Sequence, residues 1–129
     1  MSSIVSTLKS FADLVSLTPA QEAEISKAET RLSLSFAPEY REYLAAFGVA
    51  AVDAHELTGI LKSERLDVVN VTKREWDINP QVPRNMYVVE NAAIDGIIIW
   101  QDVSGKVYQS SPNSPPKAIA GSLVEYLAS

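Results

Sequence analysis

The segment of residues 34–48, LSFAPEYREYLAAFG, constrains the fold of this chain more than any other. Pro38 suits the first turn of a helix, where its missing N–H would be unpaired anyway, and Gly48 suits the backbone conformation that ends one. Between them, large side chains recur at helical spacing on one face: Tyr40, Tyr43, Leu44 and Phe47. The spacing predicts a helix whose aromatic face is buried against the strand at 97–100.

Helices are predicted on both sides of this segment. Apolar side chains at helical spacing predict the first over residues 3–16: Ile4, Leu8, Phe11 and Val15. Thr18 begins a capping-box pattern, which predicts that a second helix starts there. Asp67 predicts the cap of a short helix over residues 67–76, and Ser122 predicts the cap of a last helix.

The last third of the chain has the composition of a sheet. Three segments rich in β-branched and aromatic side chains are separated by turns: 86–90, 97–101 and 106–109. They predict a three-strand antiparallel meander, followed by a proline-rich loop over residues 112–117.

Size and charge limit the classes of protein that fit. The chain has 129 residues, which is ordinary for one domain, so residues 1–129 are predicted to form a single domain. No apolar run approaches the roughly 20 residues of a membrane span, and the N-terminus lacks a secretion signal, so we expect a cytoplasmic protein. A net charge of −5 argues against direct binding to nucleic acid. It favours a basic partner, or it serves only to keep the protein soluble.

Catalytic and metal-binding patterns are not found in the sequence. His55 is its single histidine and there is no cysteine. The segment around His55 begins like a zinc-protease motif, but no second histidine follows four residues later. No nucleophile-elbow sequence surrounds any serine, and no phosphate-binding glycine loop is present. We therefore expect neither an enzyme nor a bound metal or cofactor.

The order of short motifs resembles the signature of the SUKH superfamily, which is the Smi/Knr family of bacterial immunity proteins and fungal cell-wall-assembly regulators. The first motif includes the opening segment, AE..L followed by FAPEYREYL…FG. The later motifs follow in the family's order: ELTGI at 56–60, VVNVT at 68–72, DVSGKVY at 102–108 and SLVEYL at 122–127. Each motif is common alone, but their order and spacing together indicate the family.

The resemblance implies an α+β fold in which a twisted antiparallel sheet is covered by helices. It also implies a bacterial immunity protein that binds a cognate toxin domain, for example a basic nuclease, and blocks its active surface. The alternative is a non-catalytic regulatory or scaffold module of the Smi/Knr type. We expect a monomer or weak homodimer that contacts no membrane.

Candidate partner-binding residues are of two kinds. The most acidic stretch contributes four carboxylates: Asp53, Glu56, Glu64 and Asp67. Trp76 and Trp100 belong to the residue type most enriched at interface hot spots. Both kinds have competing structural interpretations, because acidic stretches are usually solvated and tryptophans are often buried. Trp100 lies in an apolar strand segment, which favours the core, whereas Trp76 is flanked by acids.

Overall fold

A computed structural model describes residues 3–128, which form five helices and seven strands. The helices are α1 (Ser3–Lys9), α2 (Glu22–Leu32), α3 (Pro38–Phe47), α4 (Val68–Ile78) and α5 (Leu123–Ala128). The strands are β1 (Val15–Ser16), β2 (Ala50–Val52), β3 (His55–Glu56), β4 (Tyr87–Asn91), β5 (Ile98–Gln101), β6 (Val107–Ser110) and β7 (Lys117–Ala120).

The strands form two antiparallel sheets, of order β1-β2-β3 and β4-β5-β6-β7. A bridge between Leu57 and Glu90 connects the end of the small sheet to the large one. Helices α1 and α2 pack on α3, α4 packs on β4, and α5 packs on α1 and β7. The predicted α+β class, with helices covering antiparallel strands, is confirmed.

The local predictions hold best where a cap or turn is written into the sequence. Helix α3 begins at Pro38, and Gly48 follows it with a φ of 70°. A Cβ on Gly48 would lie 2.0 Å from the Thr18 carbonyl oxygen, so close packing also requires glycine there. The Asp67 carboxylate accepts a hydrogen bond from Asn70 N and begins α4, as predicted. Ser122 likewise caps α5 through its bond from Glu125 N.

Two helix boundaries and one strand were predicted wrongly. Helix α1 ends at Lys9 rather than at residue 16, because the backbone of Val15 pairs with Ala51 in the small sheet. Helix α2 is capped by Gln21 rather than Thr18, since Ala20 N donates to the carbonyl of Leu44. Strand β7 was missed: it starts at the end of the predicted 112–117 loop, and its pairing with β6 is a tertiary contact.

The predicted aromatic face of α3 is fully buried, with Tyr40, Tyr43 and Leu44 at 0% exposure. Its ring contacts are with Phe36 and with Tyr87 of β4, whose centroid is 4.9 Å from that of Tyr40. Helix α3 reaches β5 through Glu39, which accepts a hydrogen bond from the Gln101 side chain at 2.8 Å. The aromatic face therefore forms the centre of the core, between the helices and the sheets.

Every buried phenol in this core has a hydrogen-bond partner. Tyr40 donates to Thr58 Oγ1 at 2.7 Å, and Tyr43 donates to the Thr58 carbonyl oxygen at 2.6 Å. Tyr87 donates to Gln101 Oε1 at 2.8 Å and accepts from Ala37 N at 2.9 Å. Satisfied polar groups make burial of a tyrosine favourable, since an unpaired hydroxyl would lose its water without compensation.

The burial of Leu44 predicts a large effect on stability. Leu44→Ala should lower the free energy of unfolding by about 2–5 kcal/mol, because it leaves a cavity beneath α3. Leu17→Ala, the same substitution at a side chain that is 53% exposed, is the control and should change it by less than about 0.5 kcal/mol. Urea unfolding measures both, and equal effects of the two substitutions would contradict the assigned core.

The tyrosines predict loss of stability in alkali. Burial raises the pKa of all five, and hydrogen-bonded carboxylates raise those of Tyr108 and Tyr126 further. Unfolded tyrosine ionises near pH 10, so above about pH 10 the folded chain holds protons that the unfolded chain releases. Their stabilising contribution is complete below about pH 10. It should fall above that pH by about 1.4 kcal/mol per pH unit for each phenol that stays protonated.

Urea unfolding between pH 8 and pH 11, with phenolate absorbance recorded on the native protein, tests this expectation. Phenolate absorbance should appear together with unfolding, and both should reverse on return to pH 8. Phenolate that forms near pH 10 while the fold remains intact would show that the hydroxyls are open to solvent.

Candidate functional site

The turn between β2 and β3 places predicted acidic residues on an exposed face. A depression of about 330 Å³ there is lined by Asp13, Val15, Ala51, Val52, Asp53, Ala54, His55 and Glu56. We call the exposed part of this region the acidic face, defined by Asp13, Asp53 and Glu56 with the neighbouring apolar Val15 and Leu17. Val15 and Leu17 are 63% and 53% exposed and lie two residues apart in the segment that pairs with β2.

Backbone geometry fixes Asp53 on this face. Val52 pairs with His55, so Asp53 and Ala54 are the two central residues of a hairpin turn. Both have positive φ, 45° and 67°, which is the pattern of a type I′ turn. The Asp13 carboxylate accepts a hydrogen bond from Asp53 N at 2.9 Å, which connects the segment before β1 to the turn. Asp13 was not among the predicted residues, because only the pairing of β1 with β2 brings it here.

Glu56 lies at the edge of the acidic face but is partly neutralised. Both guanidinium nitrogens Nη1 and Nη2 of Arg65 bond to its carboxylate, the second at 3.0 Å. The pKa of Glu56 is lowered by this hydrogen-bonded pair, so the carboxylate stays ionised. An exposed ion pair contributes little to stability. Arg65 therefore mainly reduces the negative field of Glu56.

A buried carboxylate lies behind this face. Glu90 is 5% exposed and accepts hydrogen bonds from His55 Nδ1 at 2.9 Å, Tyr126 Oη at 2.5 Å and Glu56 N at 3.1 Å. It joins β3, β4 and α5, and it orients the His55 ring at the rim of the depression. The sequence signal that could have found it is a carboxylate directly after the apolar strand residues 86–89.

The other two predicted acids do not belong to the acidic face. Glu64 is exposed, and its carbonyl oxygen, not its carboxylate, accepts from Arg74 Nη1 at 3.2 Å. Asp67 is half-buried, caps α4 and lines a different depression between α2 and α4. The structure therefore brings Asp53 and Glu56 together and separates them in role from Asp67.

Both tryptophans are core residues, which corrects their assignment as partner contacts. Trp100 is 0% exposed, and its Nε1 donates to Ser110 Oγ at 2.8 Å. Trp76 is 6% exposed, and its Nε1 donates to the Met86 carbonyl at 3.0 Å, because α4 lays this face on β4. With the ring buried and the indole N–H already bonded, neither side chain is available to an anchoring pocket of a partner.

Two further searches concern the described part of the chain. Within residues 3–128, no three His, Asp or Glu side chains lie close enough together to hold a metal ion. None of the helices described there has the length and apolar character that a membrane crossing requires.

Comparison with known proteins agrees with the motif order. The sequence has no match among curated proteins. The family described as SMI1-KNR4 cell-wall, SUKH_5, matches residues 1–129, the whole chain. The helices and antiparallel sheets of this chain are consistent with that assignment. The chain therefore belongs to the SMI1-KNR4 (SUKH_5) family.

Proposed function

We propose that this protein is a bacterial immunity protein that acts in the cytoplasm. It binds a cognate toxin domain through the acidic face and covers the toxin's active surface. The single observation that carries the proposal is the acidic face itself, where exposed carboxylates stand beside exposed apolar side chains. Family membership supports a protein-binding role in general, and the choice of a toxin as partner is our inference.

The composition of the acidic face suits a protein interface. Val15 and Leu17 expose apolar surface that would be buried when a partner binds. Asp13 and Asp53 border that area and provide polar contacts and orientation. A patch with apolar contacts and a charged rim is the common anatomy of protein interfaces.

The charge of the face indicates a basic partner. The whole chain has a net charge of −5, so its long-range field attracts a cationic surface, in addition to the attraction by the local carboxylates. A toxin that cleaves nucleic acid has a positively charged substrate cleft, and carboxylates can occupy the places of phosphates there. Inhibition then requires only that the cleft be covered, without any reaction on the immunity protein.

A second candidate is a regulatory or scaffold module. The words "cell-wall" in the family's description favour it. The two candidates share a protein-binding surface and differ in the partner, so a neighbouring toxin gene distinguishes them. Rescue of growth when the chain is co-expressed with the adjacent gene product supports the immunity role, and absence of rescue favours the module.

Association with the toxin should depend on the charges of the acidic face. Asp53→Asn together with Glu56→Gln should slow association by roughly threefold to tenfold at low salt, because both charges steer the encounter. Asparagine tolerates the positive φ of residue 53, so the turn should survive. Stopped-flow or surface-binding kinetics across a salt series provide the measurement, and the dissociation rate should change less.

The control variant is Glu22→Gln together with Asp77→Asn. It also removes two negative charges, and Glu22, like Glu56, is an exposed carboxylate paired with an arginine, here Arg41. Neither residue lines the depression of the acidic face. An equal loss in both variants would mean that only net charge matters. An association rate that changes with neither variant nor with salt would contradict the electrostatic explanation. Val15 and Leu17 would then be the contacts to test.

A further inference from the structure

We propose that a second surface, of opposite charge, binds an acidic segment of a protein partner. We call it the basic groove; it lies between α2 and the segment that leads into α4, and encloses about 360 Å³. Lys27, Arg31 and Lys62 form its basic lining, and its apolar lining consists of Ala28, Ile60, Leu61 and Val69. This proposal does not rest on toxin binding, since it concerns other residues and a partner of the opposite charge.

The cations of the groove have no partner within the described chain. Lys27, Arg31 and Lys62 are all exposed, and none forms an ion pair or side-chain hydrogen bond with a residue between 3 and 128. Each of the other four arginines does contact a carboxylate: Arg41, Arg65, Arg74 and Arg84. Arg31 can stabilise the C-terminal end of α2 through the helix dipole, but this interaction does not explain the presence of either lysine in the groove.

The two carboxylates that line the groove are already used by the backbone. Glu24 accepts from Gln21 N at 2.9 Å, and Asp67 accepts from Asn70 N at 3.2 Å. Each holds a helix N-terminus, so turning toward a groove cation would release a cap worth about 1 kcal/mol in typical proteins. The cations thus remain available to carboxylates from outside the chain.

The groove is built from rigid parts. Lys27 and Arg31 are four residues apart on α2 and so project on the same side of that helix. The segment that carries Lys62 is fixed at both ends: Ile60 N donates to the Gly48 carbonyl at 3.1 Å and Asp67 N to the Ser63 carbonyl at 3.0 Å. A preformed groove loses little conformational entropy when a ligand enters.

An acidic protein segment fits this groove better than nucleic acid does. Glu24 and Asp67 place two negative charges in the lining, which disfavour the uninterrupted charge of a phosphate backbone more than the spaced carboxylates of a peptide. The half-buried Ile60 and Leu61 can receive an apolar side chain, which proteins supply between acidic residues. A second copy of this chain has the same net charge, so long-range repulsion opposes self-association through the groove.

The probe for the test is a fluorescein-labelled synthetic peptide of 12 residues in which two leucines are flanked by glutamates. Fluorescence anisotropy measures its binding to the full chain at low salt. Lys27→Gln, Arg31→Gln and Lys62→Gln together should weaken binding by about tenfold, because three charge contacts are lost. The matched control, Lys9→Gln, Lys106→Gln and Lys117→Gln, removes three exposed positive charges elsewhere and should change it by less than about twofold.

Changes in the amide chemical shifts of the isotope-labelled protein, recorded with and without the peptide, show where the peptide binds. Shifts confined to α2 and residues 60–69 support the proposal, and shifts centred on the β2–β3 turn overturn it. A peptide whose leucines are replaced by serine should bind more weakly than the parent peptide, because it lacks the side chains that contact the apolar lining. If the triple variant proves unstable in urea, Lys62→Gln alone serves, since it lies outside any helix.

Three further outcomes overturn the proposal. Equal weakening by both triple variants means that only net charge is sensed. Tighter binding of a single-stranded 12-nucleotide DNA than of the peptide assigns the groove to nucleic acid. Concentration-dependent dimerisation that the groove variant abolishes, seen by sedimentation, assigns it to a second copy. None of these outcomes bears on the toxin experiment, which uses a different face and a different partner.

Discussion

The fold depends on Thr58, which is 2% exposed and joins α3 to the large sheet. Its hydroxyl accepts from Tyr40 and donates to the Val88 carbonyl at 2.8 Å, while its own carbonyl accepts from Tyr43. Its N–H donates to the Val89 carbonyl at 2.9 Å, so every polar group of Thr58 is bonded. These bonds fix the distance between the aromatic face of α3 and strand β4. Because buried hydroxyls tolerate little displacement before they lose their partners, the network favours one arrangement of helix and sheet.

The residues on either side of Thr58 carry the two proposed surfaces. The β2–β3 turn precedes it and presents carboxylates, and the segment 60–69 follows it and borders the basic groove. Gly59 makes this possible, because a Cβ there would lie 1.9 Å from the Gly48 carbonyl oxygen, so the backbone crosses the end of α3 in contact with it. A rigid centre with opposite charges on its two flanks is suited to recognition by charge and shape.

Much of this fold could be predicted because its signals are local. Pro38, Asp67 and Ser122 mark helix starts through bonds that close within one turn, and the strand at 98–101 is marked by its β-branched side chains. The errors fall where a distant segment overrides the local pattern. Val15 continues the helical spacing of α1 yet pairs with Ala51, and the sequence of β7 has no strong strand preference without β6 beside it.

For the candidate site, the sequence by itself determined that the middle of the chain is acidic and that a protein-binding role fits the family. The tertiary structure alone decided which of those charges are used within the fold. Asp67 is used by a helix cap, Glu56 is countered by Arg65, and Asp13 arrives from a separate segment. It also buried Trp76 and Trp100, and it left Lys27, Arg31 and Lys62 without an ion pair to any residue between 3 and 128. The reason is physical, because backbone capping acts over three or four residues and can be predicted from a local sequence pattern. Ion pairing and burial depend on residues that are close in space but distant in sequence.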